Sequence, residues 1–347
     1  MPVVNNSNVM SLTQWAASLG PDHKVQTRVA QLLAQQNGVV ADAGWIMGNL
    51  ATGHQGEAQT GLAPVYYTLM NQFVPVGQDT AMPFVETSAR LEGYSQVDRR
   101  LYMLGGEGEG EKLRARRAKS FLENLNQTFS KTFFYGSSAN PASFIGLSPR
   151  YSAIAAGGAN AQNILDAGGQ GSTNASIWMV IWGEETCTCF FPLGSKAGID
   201  HRDLGLQSIN SINNGSGSGQ FSDSNPGIME VYREHWEWQH GLYLPDWRYV
   251  VRIANIDVPS LLSGAGAADL ETLLIQAYHH IPNVNAGRPA LYMNRTVFEM
   301  WDVQKRNAVQ KGGQLKYEVV DGVEVPVFRG MPVRLVDQLV NTESRVV

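Results

Sequence analysis

Cys187 and Cys189, with His201 downstream, are the first residues of this 347-residue chain whose chemistry could hold a metal. Zinc sites built on a cysteine pair usually separate the two by two to four residues and add two more ligands at close spacing. Here a single residue separates them, and the surrounding TCTCFF reads as a strand, on which alternate residues share a face. Two thiols in a core or an interface are therefore expected, with no metal site.

The run Glu234-His235-Trp236-Glu237-Trp238 offers a second chemistry, an aromatic platform for a sugar with a catalytic carboxylate. On a strand, Glu234 and Glu237 project from opposite faces and cannot share one site. Structural packing is the better reading of this run. His279-His280 falls at the end of an expected helix, where a positive charge is favourable against the dipole. No nucleophile elbow, phosphate-binding loop or HExxH pair occurs, and the glycine-rich stretches lack the strand and helix that would turn them into phosphate cradles. Catalysis and cofactor binding are not expected. One basic cluster remains, Arg114, Arg116, Arg117 and Lys119, which could meet phosphate, lie solvated, or pair with acidic groups on a neighbour. The pairing is favoured.

Composition narrows the class further. Twenty-six basic residues stand against 31 acidic ones, a net charge of -5, where a dedicated nucleic-acid binder shows a basic excess. The first residues, MPVVNNSNVM, carry neither the basic nor the apolar region of a secretory signal, and no apolar run reaches membrane-spanning length. A soluble, intracellular chain without a membrane partner is expected. Its length allows more than one core.

The element that organises the rest is Glu111–Tyr135, read as one helix about 37 Å long. Glu107, Glu109 and Glu111 place negative charge at its start, and Gly136 is expected to end it in the left-handed conformation. Ala118, Phe121, Leu122, Leu125, Phe129 and Phe133 recur at three- and four-residue steps as one apolar stripe. Before it, residues 1–60 read as an arm with helical pieces at Ser11–Leu19 and from Asp22. Residues 61–106 read as strands at Val65–Phe73, Thr80–Ala89 and Gln96–Met103, the last two forming a hairpin with too little apolar surface to fold alone. After the helix, strands are expected at Ser176–Trp182, Thr186–Pro192, Ile228–Trp238 and Trp247–Ile256, with a polar Gly-Ser segment at Asn213–Gln220. Alternation in the third suggests antiparallel strands with one buried face, lying against the long helix. Beyond Pro259, helices at Asp269–His280 and Thr296–Lys305, the strand RPALYMN, a hairpin turning at Asp321-Gly322 and a strand at Val333–Val340 read as a separate compact unit.

Taken as a set, LEGYSQVD, TFFYGSSANPASFIGLSPRY, ILDAGGQGSTNASIWMVIWG, PLGSKAGIDHRDLG, DWRYVVRIANID, GRPALYMNRTVFEMWDVQ and VDGVEVPVFRGMPVRLVDQLVNTE resemble major capsid proteins of tailed double-stranded DNA phages with the Hong Kong 97-like fold. They cover most of the chain from Gly61 onward. The resemblance implies an α+β fold with an N-terminal arm (1–60), an extended hairpin loop (61–106), a peripheral domain built on a spine helix (107–258, helix 111–135) and an axial domain (259–347). In the prototype of the fold, axial segments precede most peripheral strands. Here RPALYMNRTVF and RGMPVRLVD follow DWRYVVRIANID, so a permuted topology is expected. It would fall if Trp247–Ile256 proved to lie within the axial domain.

What the resemblance implies about function is self-assembly as hexamers and pentamers into an icosahedral shell enclosing double-stranded DNA, in a virion assembled in the host cytoplasm. A portal is an implied partner. The short arm points to a separate scaffolding protein. The lack of lysine between Leu62 and Leu104 argues against covalent crosslinking from the extended loop, leaving overlap or a cement or decoration protein to stabilise the shell. Met82, Phe84, Arg99, Arg100, Arg114, Arg116 and Arg117 are the candidate subunit contacts. The alternatives are an encapsulin-type cellular shell and, in a different class, a carbohydrate-binding protein or hydrolase using the tryptophan-rich strands.

Overall fold

A computed structural model describes residues 37–104, 108–154, 158–210, 228–264, 266–309, 316–320 and 323–347. The expected N-terminal helices, the Gly-Ser segment and the Asp321-Gly322 turn lie outside them. In chain order the strands are β1 (Trp45–Met47), β2 (Gly53–Gly61), β3 (Thr80–Thr87), β4 (Ala89–Asp98), β5 (Ile164–Asp166), β6 (Asn174–Trp182), β7 (Thr188–Phe191), β8 (Ile199–Asn210), β9 (Ile228–Tyr243), β10 (Val250–Asp257), β11 (Arg288–Met293), β12 (Lys316–Val320), β13 (Val323–Phe328) and β14 (Met331–Leu335). One compact unit comprises the described parts of Leu91–Leu125 and Ile199–Trp238, and a second comprises the remaining described residues.

The core of the second unit is a seven-stranded sheet in the order β12-β13-β14-β11-β6-β10-β5. β6 is buried at every position, and β10 at all but its last. A strand buried on both faces reads as a continuous apolar run and needs cover on both sides. On one face Ile177, Met179 and Ile181 meet Leu270, Leu274 and Ala277 of the helix Leu270–His280 and Val297 and Trp301 of the helix Arg295–Val309. On the other, Phe133 stacks on Trp182 at 5.4 Å, and Phe134 lies 6.1 Å from Trp178 and 5.9 Å from Tyr292. Asp269 caps the first of those helices by accepting the Thr272 backbone N–H.

This sheet runs across the expected boundary at 258/259, joining strands from both sides of it. β10 pairs antiparallel with β6 from Val250↔Val180 to Asp257↔Asn174, and β6 pairs with β11 from Arg288↔Trp182 to Tyr292↔Trp178. The stretch 247–256 thus belongs with the strands beyond Pro259. The sequence reading grouped β6 and β10 with the alternating strands around them, although neither alternates. Pro259 lies near the start of a short helix, Val258–Ser263.

The other large sheet runs β1-β7-β9-β4, with β8 beside β9. β1, within the expected arm, pairs parallel with β7 from Trp45↔Cys189 to Met47↔Phe191. The hairpin expected between Thr80–Ala89 and Gln96–Met103 is instead formed by β2 and β3, with Gly53 opposite Thr87, so the projecting region begins before residue 61. Val65–Phe73 forms no strand, and Gln96–Met103 divides between the end of β4 and the helix Arg99–Leu104.

The long helix is Glu109–Tyr135, with Glu109 and Glu111 in its first turn. Leu125, Phe129 and Phe133 of the expected stripe are buried, as is Phe134 outside it, whereas Leu122 is exposed. Gly136 does end the helix, though not in the left-handed conformation. A Cβ there would lie 2.3 Å from the Phe144 carbonyl oxygen and 2.6 Å from that of Thr132, so close backbone approach is what requires glycine.

Candidate subunit-contact surfaces

Between β2 and β3 the chain runs through LAPVYYTLMNQFVPVGQD with no regular structure. Its one internal tie is a turn in which the Leu69 N–H donates to the Gln72 side chain and the Gln72 N–H to the Leu69 carbonyl, at 3.0 and 3.3 Å. Val65, Met70 and Phe73 are 93, 99 and 97% exposed, and Leu62, Tyr66, Tyr67, Leu69, Val74 and Val76 are exposed with them. Large apolar side chains exposed together in this way mark an interaction site.

The base of this hairpin, by contrast, is fixed. Glu86 of β3 receives both terminal nitrogens of Arg150, one of them at 2.7 Å, a bidentate pair that resists rotation. Phe84 stacks on Tyr243 at 5.7 Å, and His54 meets the same ring edge-on at 4.3 Å. Gly56 leaves room for Tyr243, whose hydroxyl would lie 2.3 Å from a Cβ. Burial lowers the His54 pKa, because the charged imidazolium is disfavoured among these rings. The geometry is a hairpin held at its base, with an apolar tip.

The expected contact residues divide by environment. Met82 is exposed on β3, while Phe84 faces Tyr243 of its own chain. Arg99 pairs with Glu230, Arg100 is exposed, and Arg116 is half-buried. Arg117, also half-buried, donates to the Gln96 carbonyl, and burial with Arg116 nearby lowers its pKa. Arg114 is buried and turned to its own chain, where Nε lies 2.8 Å from Glu234 and a terminal nitrogen 2.7 Å from Asp203. A bulge at Asp203–Gly205, with Gly205 at φ 68°, aims Asp203 at it. Burial opposes the Arg114 charge, but the Asp203 hydrogen bond and the surrounding carboxylates outweigh it and raise its pKa. The same hydrogen bond lowers that of Asp203.

Glu234 and Glu237 do face different partners, Arg114 and Arg202. Cys187 and Cys189 are fully buried, which pushes the Cys187 thiol up to about 12 and Cys189 well above its ordinary value. Both are inert core thiols.

Two buried polar networks escaped the sequence reading. In one, Arg252 donates to Glu343 at 2.8 Å, to the Tyr151 carbonyl at 2.7 Å and to Ser176 at 3.1 Å, while Glu343 also accepts from Tyr135 at 2.5 Å. Burial, followed by the Glu343 charge, raises the Tyr135 pKa. In the other, Trp182 donates to the Tyr292 hydroxyl at 2.7 Å, Tyr292 to Asp42 at 3.0 Å, and Arg334 to Asp42 at 2.8 Å. Single charged residues far apart in sequence leave no periodic signal. The end of the chain is held in the same manner, since Asn255, at φ 59°, exchanges hydrogen bonds with the backbone of Val346 at 2.8 and 2.7 Å.

A fixed hairpin with an apolar tip, a long helix and a doubly covered sheet define a Hong Kong 97-like capsid fold. A chain of the cryo-EM structure of bacteriophage Epsilon15 aligns over 99% of both chains at 26% identity with a TM-score of 0.73. The bacteriophage JBD30 capsid aligns over 90% of this chain and 94% of that one at 11% identity, TM-score 0.45. No curated protein sequence matches. The sequence profile of the major capsid protein GP7 family matches residues 20–347, and the chain belongs to that family. It is a structural protein of the phage capsid shell, and neither the encapsulin nor the carbohydrate reading has comparable support.

Proposed function

We propose that this chain closes an icosahedral shell of hexamers and pentamers around double-stranded DNA, and that the apolar tip at 62–79 seats on a neighbouring copy. The observation that carries this reading is the exposure of that tip on a hairpin whose base is fixed by Arg150–Glu86 and the Phe84–Tyr243 stack. In this reading the seven-stranded sheet is the axial domain, the β2–β3 hairpin the extended loop, and the long helix the spine of the peripheral domain. Burying an apolar side chain contributes about 1.5–3 kcal/mol, so several per subunit, repeated over a closed lattice, hold a shell without one strong interface. The net charge of -5 suits a container whose wall must not trap the incoming genome. A separate scaffolding protein, a portal and a cement or decoration protein complete the assembly, which takes place in the host cytoplasm.

The test is electron microscopy of the protein with its scaffolding protein, comparing wild type with a triple variant, Leu69→Ser, Met70→Ser and Phe73→Ser. These side chains are exposed, so the isolated subunit should melt as wild type does. Shells should form from wild type and fail to close from the variant. Normal shells from the variant would refute the role given to the tip.

A further inference from the structure

We propose that Glu92, His235 and Glu237 form a site for a divalent transition-metal ion of the zinc class, with Arg202 as its displaceable internal cation. The four residues sit on one face of three adjacent strands. His235 and Glu237 are two apart on β9, Arg202 and Asp200 lie directly opposite them on β8, and Glu92 projects from β4 on the other side. One ligand atom from each of Glu92, His235 and Glu237 lies within 4.8 Å of the other two.

The state of His235 points to a ligand. Its ring is buried, 4% exposed, and stacked on Tyr94 at 4.5 Å. A terminal nitrogen of Arg202 is 3.0 Å from Nδ1 and 2.8 Å from Glu237 Oε2. A guanidinium only donates, so Nδ1 accepts from it and offers a lone pair to positive charge. Nε2 is buried with no hydrogen-bond partner, and Glu92 Oε1 is 3.9 Å away. The arginine nitrogen therefore stands where an ion would stand, bridging an imidazole and a carboxylate. Its side chain is half exposed, and Asp200 lies 3.4 Å from its Nε as an alternative partner. With Arg202 turned to Asp200, a ring nitrogen of His235 and the carboxylates of Glu237 and Glu92, mutually within 4.8 Å, are left to share one cation. One imidazole with two carboxylates suits zinc or manganese better than calcium or magnesium, and water would complete the shell.

The experiment is titration of the full-length, unassembled subunit with Zn²⁺ against a chromophoric chelator, and with Co²⁺ by absorption. Wild type should bind one equivalent. Glu237→Gln and His235→Gln should lose it. Arg202→Gln should bind about tenfold more tightly, because a competing positive charge is removed from the ion's position. That gain cannot arise from misfolding. The Co²⁺ spectrum should lack thiolate charge transfer, which separates this site from Cys187 and Cys189. Absence of Zn²⁺ binding in both wild type and Arg202→Gln would overturn the proposal, as would binding that His235→Gln and Glu237→Gln leave intact.

Discussion

Removing Glu343 should be among the most damaging single changes to the isolated subunit. The Arg252 and Glu343 side chains are 3 and 6% exposed. The segment carrying Glu343 is anchored by reciprocal backbone hydrogen bonds to Asn174, at 2.9 and 3.2 Å, so the segment cannot drift away to let water reach the arginine. In Glu343→Ala the guanidinium keeps the Tyr151 carbonyl, Ser176 and the face of Trp178, 5.0 Å from its carbon, but loses its counter-charge. Leaving one partner of a buried ion pair uncompensated costs about 3–5 kcal/mol. That is a large part of the roughly 5–15 kcal/mol that holds a domain folded. Glu343→Gln keeps an acceptor and should cost less, about 1.5–3 kcal/mol, the value of a hydrogen bond to a charged group. The double variant Arg252→Met, Glu343→Leu removes both charges and should recover most of the loss. Urea unfolding followed by tryptophan fluorescence measures all three, with Trp178 beneath the guanidinium as a natural reporter. A Glu343→Ala midpoint equal to wild type, or a double variant as weak as the single, would refute the argument.

Two further outcomes concern the hairpin base. The His54 pKa is lowered in the folded chain, so between that value and about 6.5 the unfolded state binds more protons; stability present above 6.5 should fall as pH drops through the folded pKa. Melting temperatures across this window should decline for wild type and stay flatter for His54→Phe, and identical slopes would exclude His54 as the group responsible. At Gly53 a Cβ would lie 2.2 Å from the Glu86 carbonyl oxygen, so Gly53→Ala must shift the β3 backbone and should cost about 1–3 kcal/mol in urea unfolding, against no loss if the strands part freely.

How much of this was legible in the sequence depended on whether a residue's partner was local. The long helix, the helices at Asp269 and Thr296, and the strand RPALYMN were read because caps and periodicity are properties of a few consecutive residues. Strand partners were not. β6 and β10 were rightly grouped with each other but also with β7 and β9, which lie in another sheet, and β11 was missed as β6's second neighbour, although NASIWMVIW, apolar without alternation, already describes a strand covered on both faces. Arg114 was noticed for its charge and given to a neighbouring subunit. Its partners Asp203 and Glu234 lie about 90 and 120 residues away, and the bulge that aims Asp203 depends on Gly205, a residue with no distinguishing context.

The tip at 62–79 shows the same limit in sharper form. VYYTLMNQF, Val65–Phe73, was read as a strand because aromatic and β-branched residues favour strands, and apolar residues are assumed to be buried by their own chain. Pro64 and Pro75 bracket that run, and neither can donate a ladder hydrogen bond, which argued against a paired strand from the start. The segment carries no charge before Asp79, so it also lacks the gatekeepers that keep an exposed apolar stretch from aggregating. A chain that retains both features through folding exposes apolar surface for which its own fold supplies no cover. In the proposed seating of the tip on a neighbouring copy, the hydrophobic free energy left unrealised in the free subunit would become a driving force for assembly.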